Sequence, residues 1–162
     1  MAIRIRTVRN TEELAQAMGG IGHYFGWVPT AEQVESFLPY LPLDRMHAAF
    51  DDGEIVGGAG VYPLELTIPG GPIGCAAVTI VGVHPTHRRR GLLRKLMTVQ
   101  LLDVRERGEP IAALWASEDT IYGRYGYGQA SARLDIRLPR IRAELRPDLP
   151  AREGRVRLVD HE

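Results

Sequence analysis

The feature that most constrains this chain is the passage from Ile73 to Arg107. Ile73–Val83 consists mostly of β-branched and small residues and suits a central strand. Leu92–Arg107 carries Leu93, Leu96, Met97, Leu101 and Val104 along one side at helical spacing, and Gly108 and Pro110 stop it in the order helix ends prefer. Between them lies His84-Pro85-Thr86-His87-Arg88-Arg89-Arg90-Gly91. A helix N-terminus leaves several backbone N–H groups unpaired, and a side chain usually caps them. Here no Ser, Thr, Asp or Asn stands at the helix start, while arginines cluster there. That combination suits a bound anion. A phosphate would accept from the free N–H groups and gain from the helix dipole, and Gly91 leaves backbone open to close approach. A solvated basic turn before a poorly capped helix is the competing reading. No Gly-Lys-Ser/Thr occurs, so a P-loop is excluded, and the dinucleotide fingerprint is missing as well.

The rest of the chain fits around this unit. Ile3–Val8 alternates as a strand, and Asn10 or Thr11 caps a short helix that Gly19-Gly20 is expected to end. Ile21–Pro29 reads as a loop and Ala31–Leu38 as a second short helix. Met46–Phe50 and Ile55–Leu66 read as strands around the turn Asp51-Asp52-Gly53, Pro69-Gly70-Gly71-Pro72 as another turn, and Ile111–Trp115 as a short buried strand. Tyr122–Tyr125 suits one helical turn, Ser131–Leu138 alternates again, and Arg155–Val159 is a last strand-like piece. Successive hairpins with segregated helices argue for an α+β fold on a mixed sheet, not a doubly wound one.

Composition narrows the function. The 162 residues make one ordinary domain, and 44% apolar with 25% charged residues is globular. Lys+Arg and Asp+Glu both number 20, so the net charge is zero and a nucleic-acid binder is not favoured; one basic turn is a small footprint. The charge-free stretch Pro69–Val83 is broken by Pro72 and glycines, so no membrane span is expected. Cys75 is the sole cysteine, which excludes an internal disulfide and fits a reducing, cytoplasmic compartment.

Arg88-x-x-Gly91-x-Leu93, between a strand and a long helix, resembles the pyrophosphate loop of the GNAT acetyltransferases, with Leu93 where that family keeps Gly or Ala. The wider run Val83–Arg94, with Ala116-Ser117-Glu118 and Ile121-Tyr122-Gly123-Arg124-Tyr125-Gly126-Tyr127-Gly128, resembles the Eis (enhanced intracellular survival) acetyltransferases. The resemblance covers Ala48–Leu138 well and the first 45 residues in outline. It implies a GNAT acyl-CoA N-acyltransferase fold, with helices on both faces of a mostly antiparallel sheet, and acetyl-CoA as co-substrate without a metal. Val81, Gly82 and Val83 would offer backbone groups to the pantetheine arm. Arg89, Arg90, Gly91, Leu92, Leu93 and Arg94 would hold the pyrophosphate, and Ser117 and Glu118 would lie at the neighbouring strand end. A splay between the Ile73–Val83 and Ile111–Trp115 strands would free backbone groups for that arm. The acceptor implied is a primary amine, of an aminoglycoside or of a lysine.

Acetyl transfer needs a neutral amine, donors for the oxyanion and a proton for the leaving thiolate. A phenol can supply that proton, and the resemblance assigns it to Tyr122. Tyr125 and Tyr127 are rivals by sequence, and all three also suit packing on a glycine-rich turn. For the base, Val78–Val83 holds no carboxylate, which leaves Glu65, His84 and Glu118 as candidates. A CoA-binding module without catalysis is the alternative function. His84 and His87 lack the second pair that a metal site needs. Cys75 reads as a buried, inert thiol. His23-Tyr24-Phe25-Gly26-Trp27 reads as a substrate wall or a cover for the core. Eis proteins continue into further domains and form homo-oligomers. The expected organisation is a GNAT domain over 1–138, then a linker and the start of a possible second domain over 139–162, either as a piece of a longer chain or as a single-domain relative with another base.

Overall fold

Two tight turns set the sheet. Asp52 (φ 53°) and Gly53 (φ 90°) connect β2 (Met46–Asp51) to β3 (Glu54–Ile68), and both dihedrals are the left-handed kind that a two-residue hairpin needs. Pro69 and Gly70 (φ 109°) then turn β3 into β4 (Gly71–Val83). The computed structural model describes residues 3–144, 146–148, 154–155 and 157–158. These fall into two units, 1–128 and 129–162. In the first, β1 (Arg4–Thr7), α1 (Thr11–Phe25) and α2 (Ala31–Phe37) precede β2, while α3 (Leu92–Glu106) and β5 (Ile111–Leu114) follow β4. The sheet order is β1-β2-β3-β4-β5, antiparallel throughout except that β5 runs parallel to β4. This is the expected mixed, mostly antiparallel sheet.

Helices cover both faces. Met46, Ala48 and Phe50 of β2 pack with Leu14, Ala17 and Met18 of α1 and Val34 of α2. On the other face, Ala49, Val56 and Ala59 meet Leu92 and Leu96 of α3, and Val61, Ala76 and Val78 meet Met97 and Val104. At the far end of α3, Arg45 is buried and donates both to Glu109 Oε1 (2.7 Å) and to Oε2 (2.6 Å).

The expected end of the first helix is corrected. Gly19-Gly20 does not stop α1, which continues to Phe25 and ends at Gly26 (φ 63°), so the expected loop over Ile21–Pro29 starts as helix. The glycines serve approach instead. A Cβ on Gly20 would lie 3.2 Å from the Gly82 carbonyl oxygen, and one on Gly82 would lie 2.5 Å from Ile21 N. Gly20, Gly57, Gly58 and Gly82 thus form a seat where helix backbone lies directly on sheet backbone, at a helix-propensity cost of roughly 1 kcal/mol per glycine.

In the second unit, Ser131–Leu138 is not a strand. Leu134, Ile136 and Leu138 alternate as expected but stand exposed, and alternation yields a strand only where another strand's edge receives it. The strand-like piece Arg155–Val159 falls partly outside the described residues; Arg155, Arg157 and Leu158 carry no regular structure. One 3-10 turn, Arg140–Arg142, is present.

Candidate active site

β4 bears an irregularity at its C-terminal half. Gly58 pairs with Gly82 and Gly60 with Thr79, so Ile80 and Val81 of β4 face Ala59 of β3 alone. Ile80 takes φ 53°, a strained conformation for a β-branched residue, and its side chain packs into the α1 face of the core. On the other side of β4, the parallel ladder with β5 ends at Val78↔Leu114. From Thr79 to Val83 only β3 pairs with β4 among the described residues. The expected splay is present. The alternation of antiparallel bonds says which groups it frees. His84 N–H donates to the Val56 carbonyl at 2.8 Å, so the preceding pair, Gly57↔Val83, is the non-hydrogen-bonded kind. Val83 therefore turns its N–H and C=O toward the open edge. By the same alternation Gly82 turns its own toward β3, and its α1-facing side is filled by Gly20 and Ile21. Buried Gln100 of α3 donates from Nε2 to the Gly60 carbonyl at 3.1 Å, beside the bulge.

The arginine turn crosses from this edge to α3. Pro85–His87 makes a 3-10 turn, Arg89 sits at φ 59°, and Gly91 at φ 78° stands before the helix with no side-chain cap. Among the described residues nothing lies within 4 Å of a Cβ placed on Gly91 and no side chain caps the helix, which leaves the first-turn N–H groups of Leu92, Leu93 and Arg94 as donors of the kind an anion accepts from. The side chains divide. Arg88 Nε donates to Tyr24 Oη at 2.6 Å with its guanidinium 4.5 Å from the ring centroid. Arg90 pairs with Asp51 at 3.0 Å, and Asp51 also meets His87 Nε2 at 3.2 Å. Arg89 and Arg94 make no hydrogen bond or ion pair among the described residues. Arg94 lines a shallow trough with Ile3 and Ile5 on the β1 side, so Arg89 is the free cation of the turn itself. Leu92 is buried in the core and offers the site only backbone; Leu93 packs beside Val81.

Beyond β5 the chain runs through exposed Ser117 and Glu118 into 3-10 turns at Asp119–Ile121 and Gly123–Tyr125. Tyr122 joins them, and Tyr122, Tyr125 and Tyr127 pack in one cluster with Val78, Val81 and Leu93. That cluster brings Tyr122 to the β4–α3 side of the site. The Tyr122 hydroxyl makes no hydrogen bond among the described residues, and burial, then Glu118 and Tyr125, push its pKa above 10.0. Tyr127, edge-on to Tyr122 at 5.9 Å, has a buried hydroxyl without a hydrogen-bond partner among the described residues and is pushed up by burial to about 12.

Among the base candidates, Glu65 pairs with Gly74 near the tip of the β3–β4 hairpin, at the end of the sheet opposite Val83. His84 follows Val83 directly, and burial, with His87 and His23 nearby, pushes its pKa below 6.5. Cys75 is buried and burial pushes its thiol up, as an inert residue requires. Among the described residues no group of three or more metal-ligating side chains occurs, and no helix is long and apolar enough to cross a membrane. Two participants escaped the sequence reading. Asp51 looked like a turn residue, and only long-range pairing shows it holding Arg90. Tyr24 stood in an aromatic, glycine-rich segment, a signal that pointed to a wall and not to a hydrogen bond with Val83.

A strand opened by a bulge, an arginine turn and an uncapped helix behind it meet at the C-terminal end of β4. The chain belongs to the acetyltransferase (GNAT) domain family, which it matches over residues 4–130. It is similar to an uncharacterized N-acetyltransferase of Streptomyces coelicolor, 42% identical over 98% of this chain and 39% of that protein. It is also similar to the N-acetyltransferase Eis of Mycobacterium tuberculosis, 43% identical over 60% of this chain and 24% of Eis. The crystal structure of Eis1 from Mycobacterium abscessus superposes with a TM-score of 0.68 at 41% identity, covering 78% of this chain and 31% of Eis1. The chain spans at most about two fifths of the length of these relatives.

Proposed function

We propose that this chain is the acetyl-CoA-binding domain of an N-acetyltransferase that moves an acetyl group from a thioester to a primary amine. The observation that carries the reading is the open β4 edge ending, one turn later, at an uncapped helix with a free arginine. On this reading the pantetheine arm adds alongside Val81–Val83 as an extra strand would. The pyrophosphate accepts from the N–H groups of Gly91, Leu92, Leu93 and Arg94, and Arg89 supplies the first charge. Arg90 and Arg94 flank it, and Ser117 and Glu118 close the β5 side. Gly82 contributes by admitting α1.

The amine nitrogen attacks the thioester carbonyl carbon; the C–N bond forms and the C–S bond breaks. Tyr122 gives its proton to the departing sulfur, and its raised pKa keeps that proton in place at neutral pH. The proton shed by the amine goes to His84, kept neutral by its lowered pKa. The acceptor is an aminoglycoside or lysine amine, as the likeness to Eis suggests. Thiol release from acetyl-CoA, followed colorimetrically with kanamycin and with a lysine peptide, tests this and separates the two acceptors. Arg89→Ala weakens acetyl-CoA about ten- to a hundredfold, one charged hydrogen bond's worth, and Arg90→Ala weakens it less because Asp51 already holds that side chain. Binding without thiol release for any amine favours instead a non-catalytic CoA-binding module, in keeping with a β4 segment over 78–83 that holds no carboxylate.

A further inference from the structure

The Val83 carbonyl faces the open edge, yet it is engaged. Tyr24, in the last turn of α1, donates from Oη to that carbonyl at 2.6 Å. The same oxygen accepts from Arg88 Nε at 2.6 Å, and the ring lies under the Arg88 guanidinium. One phenol thus holds both a backbone acceptor at the β4 edge and the first arginine of the turn. These are the two kinds of group that a ligand with an amide N–H at one end and a phosphate at the other would claim. Tyr24 is partly exposed and directly precedes Phe25 and Gly26, where the left-handed C-cap has open space around it. It can leave without disturbing the core.

We propose that Tyr24 is a latch on the acyl-carrier site, closed in the free protein and displaced when acetyl-CoA binds. The inference rests on the reading of acetyl-CoA along β4. On binding, an amide N–H of the pantetheine arm takes over the Val83 carbonyl from the phenol, and a phosphate oxygen takes over Arg88. Released Tyr24 swings its side chain out beside the exposed His23 and Phe25 at the end of α1, while Trp27 stays packed on the core. The acceptor side is therefore reshaped only after the acyl donor is in place, which orders the two substrates.

Tyr24→Phe tests the latch, because it keeps the ring under Arg88 and removes only the hydroxyl. Calorimetry on the parent and the variant uses two probes, acetyl-CoA and adenosine 3′,5′-bisphosphate, which lacks the amide arm. The expected result is acetyl-CoA tightened about three- to tenfold in the variant, since neither the carbonyl nor Arg88 has to be vacated, with the bisphosphate, which claims Arg88 alone, tightened by a smaller factor. Weaker acetyl-CoA binding would mark a merely structural contact and overturn the latch, as would unchanged binding or equal gains on both probes. If Tyr24→Phe melts well below the parent, Tyr24→Leu, a good helix former, carries the same comparison. A parent that binds acetyl-CoA and loses it with Arg89→Ala, yet gains nothing from Tyr24→Phe, overturns the latch alone. A parent that does not bind acetyl-CoA overturns the reading beneath it, and the latch with it.

Discussion

Gly82 separates two roles that the sequence merges, and one substitution distinguishes them. A Cβ placed there would stand 2.5 Å from Ile21 N, 2.6 Å from Ile21 Cα and 2.7 Å from Gly20 C. All three are backbone atoms of α1, so no side-chain rotation relieves the overlap. Ordinary contact requires the helix and β4 to part by about an ångström. That gap would also loosen the approach of Gly20 to Gly57 and of Ala17 to Gly58. Overpacking costs typically about 1–3 kcal/mol, and a rigid backbone partner puts Gly82→Ala at the upper end. For a chain of this length about 3 kcal/mol lowers Tm by roughly 6–12 °C. Gly19 provides the control inside the same helix. Nothing lies within 4 Å of its Cβ position and its φ is not positive, so Gly19→Ala stabilises by about 0.5–1 kcal/mol through helix propensity. Urea denaturation of the two variants gives opposite signs. A Gly82→Ala protein as stable as the parent, with weakened acetyl-CoA binding alone, would refute the seat and return Gly82 to the ligand.

Two further outcomes follow from buried charge. Glu109→Gln leaves the Arg45 guanidinium buried with only Asp103, 3.6 Å away, opposite it; about 3 kcal/mol of stability is lost, read in a thermal melt. Burial pushes the His47 pKa below its usual 6.5, so the unfolded chain binds the proton more readily than the folded one. His47's contribution is whole above pH 6.5 and declines as pH falls below it, by up to about 1.4 kcal/mol per unit, and His47→Leu flattens stability measured from pH 7 to pH 5.

Local chemistry made much of this legible. The Asp52-Gly53 hairpin, the β-branched run of β4 and the apolar stripe of α3 each state their own conformation, and the missing cap before Leu92 is visible in the residues alone. What escaped depends on partners far along the chain. Gly19-Gly20 reads as a helix stop until Gly57, Gly58 and Gly82 are seen beneath it. Ser131–Leu138 reads as a strand because alternation describes a ribbon and not its neighbour. Across the turn and the first residues of α3, sequence offers four arginines with nothing to tell them apart. The fold commits Arg88 to Tyr24 and Arg90 to Asp51, sends Arg94 toward β1, and leaves Arg89 free.

Tyr122 and Tyr127 stand five residues apart, ring against ring, and differ in the access of their hydroxyls. The Tyr127 oxygen is buried with no partner among the described residues, and burial pushes its pKa up to about 12. The Tyr122 oxygen has no hydrogen bond among the described residues and is not enclosed, on a turn with Gly123 beside it. A proton donor must reach the departing sulfur, so Tyr122→Phe should remove the transferable proton while keeping the ring. Because no hydrogen bond is lost, stability should stay within about 0.5 kcal/mol of the parent. General acids contribute about 10²- to 10⁴-fold, or roughly 3–5 kcal/mol of barrier, and the loss should fall on kcat with acetyl-CoA affinity intact. Tyr127→Phe should leave turnover unchanged and raise stability by about 1 kcal/mol, since a buried unpaired hydroxyl disappears. Steady-state kinetics on both variants, in the full-length protein with its preferred amine, decide the assignment. If Tyr122→Phe turns over within threefold of the parent while Tyr127→Phe does not, the proton comes from the buried phenol, and the cluster must open for it to leave.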